Sequence, residues 1–247
     1  MSSLQDKVIV VTGGSGLIGS SIINRLCKDG AICINADLNG VASGSEIVKK
    51  CNVTDSQSVD YLIENLMTEY GRIDGWVNNA YPRTADWGAK FEDVTLDSWR
   101  NNLDMQLSSI FYISQKVLAI MQQQKYGSMV NIASIYGIVG NDFTIYENTG
   151  GLTSPAAYSA IKGGLINFTR YLASYYGKYG VRINCVSPGG IIDKQHPNFI
   201  EQYSAKVPLR RLGKPAEISP GVSFLLSEDA SYITGNNLVI DGGWTSI

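Results

Sequence analysis

Two hydrophobic periods alternate along the chain. Residues 7–12 are a continuous, β-branched apolar run, as a strand covered on both faces requires. Residues 20–29 then carry Ile22, Ile23 and Leu26 at helical spacing, and Gly30 follows as a helix-ending residue. A second buried strand is predicted over 31–36. Asn52, Val53, Thr54 and Asp55 read as a strand end, with Thr54 or Asp55 opening a helix to about residue 70 that Gly71 closes. Further strands are predicted at 73–77, 128–133, 181–186 and 238–240, and long helices at 95–124 and 155–178. Pro215 opens a last helix from its first position. Residues 82–93 read as a polar, aromatic loop, 136–155 as irregular and polar, and 191–211 as a mobile-looking, irregular stretch.

Alternating strands and helices predict a parallel sheet with helices on both faces. Ligands of such sheets bind beyond the carboxyl ends of the strands. The unusual segments all fall there: 13–19, Asp37, 78–81, Ser134 and 188–189. The first unit runs strand, Gly13-Gly-Ser15-Gly16-Leu17-Ile18-Gly19, helix, strand, Asp37, which is the pattern of a dinucleotide-binding unit. Glycines at 13, 16 and 19 let backbone approach a pyrophosphate, and amides at a helix N-terminus favour its charge. Asp37 would accept from the adenosine ribose hydroxyls and repel a 2′-phosphate. Its neighbours Ala36, Leu38 and Asn39, and Ser15 in the turn, offer no cation to such a phosphate. NAD is therefore the expected cofactor, with NADP the weaker alternative. The expected fold class is α/β, a single Rossmann-type, doubly wound domain over residues 1–247 with its cofactor half over about 1–133.

The chemistry centres on Tyr158-Ser-Ala-Ile-Lys162, read with Ser134. A Tyr and a Lys four apart on a helix lie one turn apart on one face. A phenol with an ordinary pKa of about 10 is a poor base, and an adjacent ammonium favours its phenolate. A Ser hydroxyl from a strand end would hold a substrate oxygen. Together these groups suit moving a proton on or off an alcohol while hydride leaves its carbon.

Composition narrows the alternatives. The chain has 247 residues and a formal net charge of −2, so no nucleic-acid surface is expected. No apolar run approaches the ~20 residues that span a bilayer, and no secretory leader is read at the start, so a cytoplasmic location is expected. His196 is the only histidine, and Cys27, Cys33, Cys51 and Cys185 form no ligand-spaced pair, so no metal is expected.

With these residues in view, the chain resembles the short-chain dehydrogenase/reductase family over essentially its whole length. The matching motifs are Thr12-Gly13-x-x-Gly16-x-x-Gly19, Asn78-Asn79-Ala80, Ser134, Tyr158-x-x-x-Lys162 and Asn184-x-x-x-Pro188-Gly189. The C-terminal part adds Pro208-Leu-x-Arg-Leu-Gly, Tyr232-Ile-Thr-Gly and Asp241-Gly-Gly. The resemblance implies Tyr158 as general acid/base, Lys162 binding the nicotinamide ribose and lowering the Tyr158 pKa, and Ser134 orienting the reacting oxygen. It implies cofactor contacts from Leu17, Ile18, Asn52, Val53, Asn79, Ala80, Pro188, Gly189 and Ile191. It also implies a homotetramer built on the 95–124 and 155–178 helices and the C-terminal segment.

Several positions depart from the family pattern. The glycine spacing is 13, 16, 19, where compact members usually carry Gly at the position of Leu17. Asn52 replaces an Asp, Tyr81 a Gly and Asp193 a Thr, and Gln106 stands where a catalytic Asn is expected. The stretch between Ser134 and Tyr158 is about ten residues longer than compact members need, and long ordered loops are more often functional than idle. Asn79-Ala-Tyr-Pro-Arg83, Ile145-Tyr-Glu-Asn-Thr149 and Ser187-Pro-Gly-Gly-Ile-x-Asp193 are similar to the oxidoreductases of bacterial flagellin-modification and surface-glycan (nonulosonate) pathways.

Substrate loops are expected over about 81–93, 136–155 and 191–211, with Tyr81, Arg83, Tyr136, Tyr146, Lys194 and His196 as candidate contacts. Their polar character suits a sugar-derived small molecule. The expected activity is NAD(H)-dependent interconversion of a secondary alcohol and a ketone. Two alternatives stand beside it: an NADPH-dependent 3-ketoacyl-carrier reductase, and a non-catalytic dinucleotide sensor or scaffold.

Overall fold

The computed structural model describes residues 4–42 and 44–247; the first three residues of the expected 1–247 span lie outside them. Seven strands form one sheet among the described residues. They are β1 (Val8–Thr12), β2 (Ile32–Asp37), β3 (Ile47–Lys50), β4 (Gly75–Asn78), β5 (Gly127–Ile132), β6 (Val181–Pro188) and β7 (Asn237–Ile240). Their order is β3-β2-β1-β4-β5-β6-β7, and every neighbouring pair is parallel.

The two-residue period of a strand explains why β1 is apolar throughout. Val8 and Val10 face one core with Ile34 and Trp76, while Ile9 and Val11 face another with Cys33 and Val77. Helices α2 (Ser56–Tyr70), α4 (Ser109–Gln124) and α5 (Ala156–Tyr176) cover the first face through Leu62, Val117 and Leu172. Helices α1 (Leu17–Lys28) and α7 (Pro215–Leu226) cover the second through Ile22, Leu26 and Val222. The chain winds outward from β1 in one direction and from β4 in the other. That reversal opens a crevice at their carboxyl ends, where a ligand fits.

Three expectations are corrected. Asn52 to Asp55 is not a strand end: β3 stops at Lys50, and Asn52 Oδ1 accepts from the Thr54 amide (3.2 Å) and hydroxyl (2.9 Å) in a turn, with Asp55 capping α2. The helix expected over 95–124 is broken into α3 (Leu96–Leu103), capped by Thr95, then a π-helical turn at Asp104–Ser108, then α4. Such a turn inserts one residue and rotates the face that follows. The supposedly irregular 191–211 contains a helix, α6 (Pro197–Lys206), with Pro197 in its first turn.

Candidate active site

The cofactor end is stitched from backbone. Thr12 Oγ1 accepts from the amides of Asn79 (3.0 Å) and Ala80 (3.1 Å). Asn79 Nδ2 returns to the carbonyls of Thr12 (3.0 Å) and Gly13 (2.9 Å). The turn after β1 is thereby locked to the end of β4. Gly13 adopts φ +63°, and a Cβ there would lie 2.9 Å from Ala80 Cα. A Cβ on Gly19, buried at the start of α1, would lie 2.2 Å from the Gly13 carbonyl. No side chain caps α1, and its first turn holds no acid, so its leading amides are open. Asp37 accepts from the amides of Ser15 and Asn39, each at 3.1 Å, which holds its carboxylate beside the turn. Open amides, a cradle that a Cβ would fill and a fixed carboxylate fit a dinucleotide.

At the reacting end, α5 delivers Tyr158 and Lys162 one turn apart, and Ser134 follows β5. Lys162 is buried, and its ammonium donates to the Ile132 carbonyl at 2.8 Å. Burial lowers its pKa to about 8. Burial also pushes the Tyr158 phenol above its usual range, and hydrogen bonding with Ser134 opposes this without overcoming it. The expected lowering of the Tyr158 pKa by Lys162 therefore does not prevail: the ammonium is engaged on Ile132 and stands 5.6 Å from the phenol ring centre.

An aromatic wall stands against the phenol. The Tyr81 ring meets Tyr158 edge-on at 5.8 Å, and Trp87 meets Tyr81 at 5.5 Å and Tyr158 at 6.2 Å. The loop bearing them is fastened to α3. Asn102 Nδ2 donates to Thr84 Oγ1 (2.8 Å) and Asn102 Oδ1 accepts from the Thr84 amide (3.1 Å), while Ser98 Oγ donates to Asp86 (2.8 Å).

The long insert before Tyr158 docks on α6. The side chains of Asn198 and Gln202 donate to the carbonyls of Asn148 (2.8 Å) and Glu147 (2.7 Å), and Lys206 pairs with Asp142. One turn inward, Phe199 and Tyr203 face the cavity, and Tyr203 Oη accepts from the Gly190 amide at 2.6 Å.

These elements enclose one cavity of about 670 Å³. The structure brings Gly13, Gly16, Leu17, Ile18, Asp37, Asn79 and Ala80 to one end of it. Tyr81, Arg83, Ser134, Tyr136, Tyr158, Lys162, Pro188, Gly189 and Ile191 line the rest. Other sequence candidates stand apart from its lining. Ser15 is exposed with its amide on Asp37, Asn52 is engaged in its own turn, and Val53 packs on the core. Tyr146 is packed against Phe199 at 5.4 Å. Lys194 is exposed, and His196 uses Nδ1 to accept from the Asn198 amide, capping α6. Gln106 is buried within the π-helical turn, and its Nε2 finds no hydrogen-bond partner. Sequence reasoning missed Gly190, Gln195, Phe199 and Tyr203. The four-residue spacing of Phe199 and Tyr203 was the available signal, hidden by the charged and proline-bearing run before it. Among the described residues no group of acids, Cys and His is arranged to hold a metal, and no helix is long and apolar enough to cross a membrane.

Known proteins share this architecture. A family model described as Enoyl-(Acyl carrier protein) reductase matches residues 18–245. The chain is 30% identical to a post-translational flagellin modification protein A of Campylobacter coli, over 98% of this chain and 99% of that one. It is 33% identical to a 7alpha-hydroxysteroid dehydrogenase of Bacteroides fragilis, over 99% and 96% of the two chains. A crystal structure of a short chain dehydrogenase from Leptospira borgpetersenii serovar Hardjo-bovis with bound NAD+ superposes with a TM-score of 0.90 at 34% identity, covering 98% of this chain and 94% of that one.

Proposed function

The chain belongs to the short-chain dehydrogenase/reductase family of NAD(P)-dependent oxidoreductases, and from that premise we propose that it interconverts a secondary alcohol and a ketone on a polar, sugar-derived small molecule using NAD(H). The observation that carries this reading is the convergence of Ser134, Tyr158 and Lys162 on one cavity with Asp37 at its other end.

The open amides of Leu17 and Ile18 would hold the pyrophosphate, and Asp37 the adenosine ribose. A 2′-phosphate beside Asp37 would meet like charge, and no cation lines that end of the cavity. This favours NAD over NADP and weighs against the ketoacyl-carrier reductase. When bound, the nicotinamide supplies the two-electron acceptor for the hydride leaving the substrate carbon.

In oxidation Tyr158 takes the hydroxyl proton while Ser134 Oγ holds the same oxygen. Burial displaces Tyr158 and Lys162 each against its charged form, yet at about 8 Lys162 keeps its proton near neutrality while the Tyr158 phenol stays neutral. A phenolate formed beside that ammonium would offset the cost of burying both charges. Reduction runs the same groups in reverse. An intact Ser134, Tyr158 and Lys162 weigh against a sensor or scaffold, which needs none of them.

The two relatives named act, by their names, on different molecules at similar identity, so the substrate reading rests on the site. Tyr81, Tyr136, Phe199 and Tyr203 line the cavity with ring faces and hydroxyls, a surface on which a sugar stacks and hydrogen-bonds. The test is a screen of sugar nucleotides and sugar acids with NAD and NADH, following absorbance of the reduced cofactor. In Tyr158→Phe, cofactor binding should persist while turnover falls about 10²–10⁴-fold; surviving turnover refutes the mechanism.

Phe111, Tyr171 and Tyr175 are exposed on α4 and α5, which supports assembly through these helices as a homotetramer. A monomeric mass by light scattering would count against it. A cytoplasmic location belongs to the same reading and agrees with four free cysteines.

A further inference from the structure

Two polar groups on the substrate side of the cavity have no ion pair or hydrogen bond of normal geometry among the described residues. The first is Arg83. Its guanidinium lies over the Tyr81 ring, 5.6 Å from the centroid, and has no carboxylate partner among the described residues. The second is the hydroxyl of Tyr136, which is buried without a hydrogen bond of normal geometry. Both residues line the cavity.

Two further polar side chains of the lining are committed. Lys162 donates to Ile132, and Gln195 spends its amide on Ile191 and Asp193. Among the described residues Asp37 is the only acid in the lining, and it belongs to the cofactor end. The field of Arg83 is therefore not neutralised inside the cavity. Lys194 and His196, the other candidate cations, stand outside it.

We propose that Arg83 is the anion-reading residue of the substrate site, that the substrate carries a carboxylate or phosphate oxygen set recognised by its guanidinium, and that Tyr136 pairs with a hydroxyl or amide of the same molecule. The assignment rests on the sugar-oxidation reading for what the molecule is. It adds that the molecule is acidic and where its charge sits. The Tyr81 ring contacts both groups: the Arg83 guanidinium lies 5.6 Å from its centroid and the Tyr158 ring 5.8 Å from it. The anionic group thus belongs to the same small molecule as the reacting carbon. A carrier-borne acyl chain, whose charged groups are remote from its carbonyl, does not meet that spacing. The guanidinium fork suits a two-oxygen acceptor, and stacking on Tyr81 pre-orders it. The Tyr136 phenol is pushed up by burial, so it stays a neutral donor and acceptor.

The test titrates NAD-loaded protein calorimetrically with glucuronate, glucose-6-phosphate and glucose, alongside turnover of each. In the wild type an acidic member should bind more tightly than glucose. Arg83→Ala should weaken that member about 10–100-fold, the range for losing a charge-assisted pair, and Arg83→Lys should recover part of it. Whichever of glucuronate and glucose-6-phosphate loses more in Arg83→Ala identifies the group read. Tyr136→Phe should cost a few-fold on top. Equal binding of glucose and both acids, or acid affinity unchanged in Arg83→Ala, overturns the assignment. If the acids bind through Arg83 and no sugar is oxidised, the reaction proposed above fails and the assignment stands. If sugars are oxidised irrespective of charge and of Arg83, the reaction stands and the assignment falls.

Discussion

The ammonium of Lys162 stands 5.6 Å from the centre of the Tyr158 ring and spends a 2.8 Å hydrogen bond on the Ile132 carbonyl. With Tyr158 neutral, this buried cation has no anionic partner among the described residues, and burial holds its pKa at about 8.

A pH dependence of stability follows from that displacement. An unfolded Lys titrates near 10.4, so between about pH 8 and 10.4 the unfolded chain binds the extra proton and stability rises with pH. Below about pH 8 the penalty is fully present; above 10.4 it is gone. Tyr158 is displaced upward, so it adds nothing below about pH 10. Relative to Lys162→Met, the wild type should gain stability between about pH 7 and pH 9.5, by at most about 2 kcal/mol. Urea melts of both proteins at the two pH values measure it. A gap that does not change with pH would refute the buried-cation account.

The glycine turn supplies a second expectation. Inside a helix Ala normally stabilises relative to Gly by about 1 kcal/mol. At Gly19 the sign should invert, because a Cβ meets the Gly13 carbonyl at 2.2 Å and Asn79 Nδ2 at 2.8 Å. Both atoms belong to the lock between β1 and β4, which cannot give way cheaply. Gly19→Ala should lower the melting temperature and weaken NAD binding at least tenfold, whereas Gly88→Ala, with nothing within 4 Å of its Cβ, should do neither. Differential scanning fluorimetry with and without NAD separates the two.

Those two sites were legible from local spacing alone. The glycines, Asp37, Ser134, Tyr158 and Lys162 sit at strand ends or one helical turn apart, and a strand-helix alternation brings strand ends together. The partner of Lys162 was not legible, because the Ile132 carbonyl is backbone and carries no side-chain signal. Trp87 was missed for a different reason: its place against Tyr158 depends on contacts to α3 made through Thr84, Asp86, Ser98 and Asn102, side chains that look like ordinary loop and helix-surface polarity. The π-helical turn at Gln106 interrupts a run whose composition reads as continuous helix. Helix α6 was hidden because Asp193, Lys194 and Pro197 resemble loop chemistry and mask the Phe199–Tyr203 spacing.

The clip on α3 gives a third expectation. Asn102 is buried and makes four hydrogen bonds, two with Thr84 and two to Ser98, through its carbonyl at 2.8 Å and its hydroxyl at 3.4 Å. Asn102→Ala leaves the Thr84 amide without its acceptor and frees the loop that sets Tyr81 and Trp87 on Tyr158. Unfolding free energy should fall by about 1–3 kcal/mol, and KM should rise more than kcat falls. Urea denaturation and steady-state kinetics test both halves. Wild-type KM at reduced stability would mean the loop is held by its ring contacts alone.

Cofactor choice should hinge on Asp37. Its two oxygens hold the Ser15 and Asn39 amides, so the carboxylate is positioned before any ligand arrives. Asp37→Ala removes both the ribose acceptor and the like charge a 2′-phosphate would meet. NADH affinity should fall and NADPH affinity rise, moving their ratio by about 10-fold or more toward NADPH. Fluorescence titration with each reduced cofactor reads the ratio. No movement would mean that discrimination lies elsewhere in the turn.

The insert and α6 should behave as one body. Asn198, Gln202 and Lys206 recur every four residues, so they form one stripe of α6, and each holds the insert. Phe199 and Tyr203 form the neighbouring stripe and face the cavity. Loss of the first stripe should therefore be felt by the second, through the 5.4 Å contact of Tyr146 with Phe199. The pair Asn198→Ala and Gln202→Ala should cost little global stability, about 1 kcal/mol for each exposed bond at most. It should speed proteolytic cleavage within 141–151 and raise KM for the substrate more than for NAD, because Asp37 and the glycine turn lie at the other end of the cavity. Limited proteolysis followed by mass spectrometry locates the cuts. Unchanged cleavage would show that the insert's own buried Ile145 anchors it without the stripe.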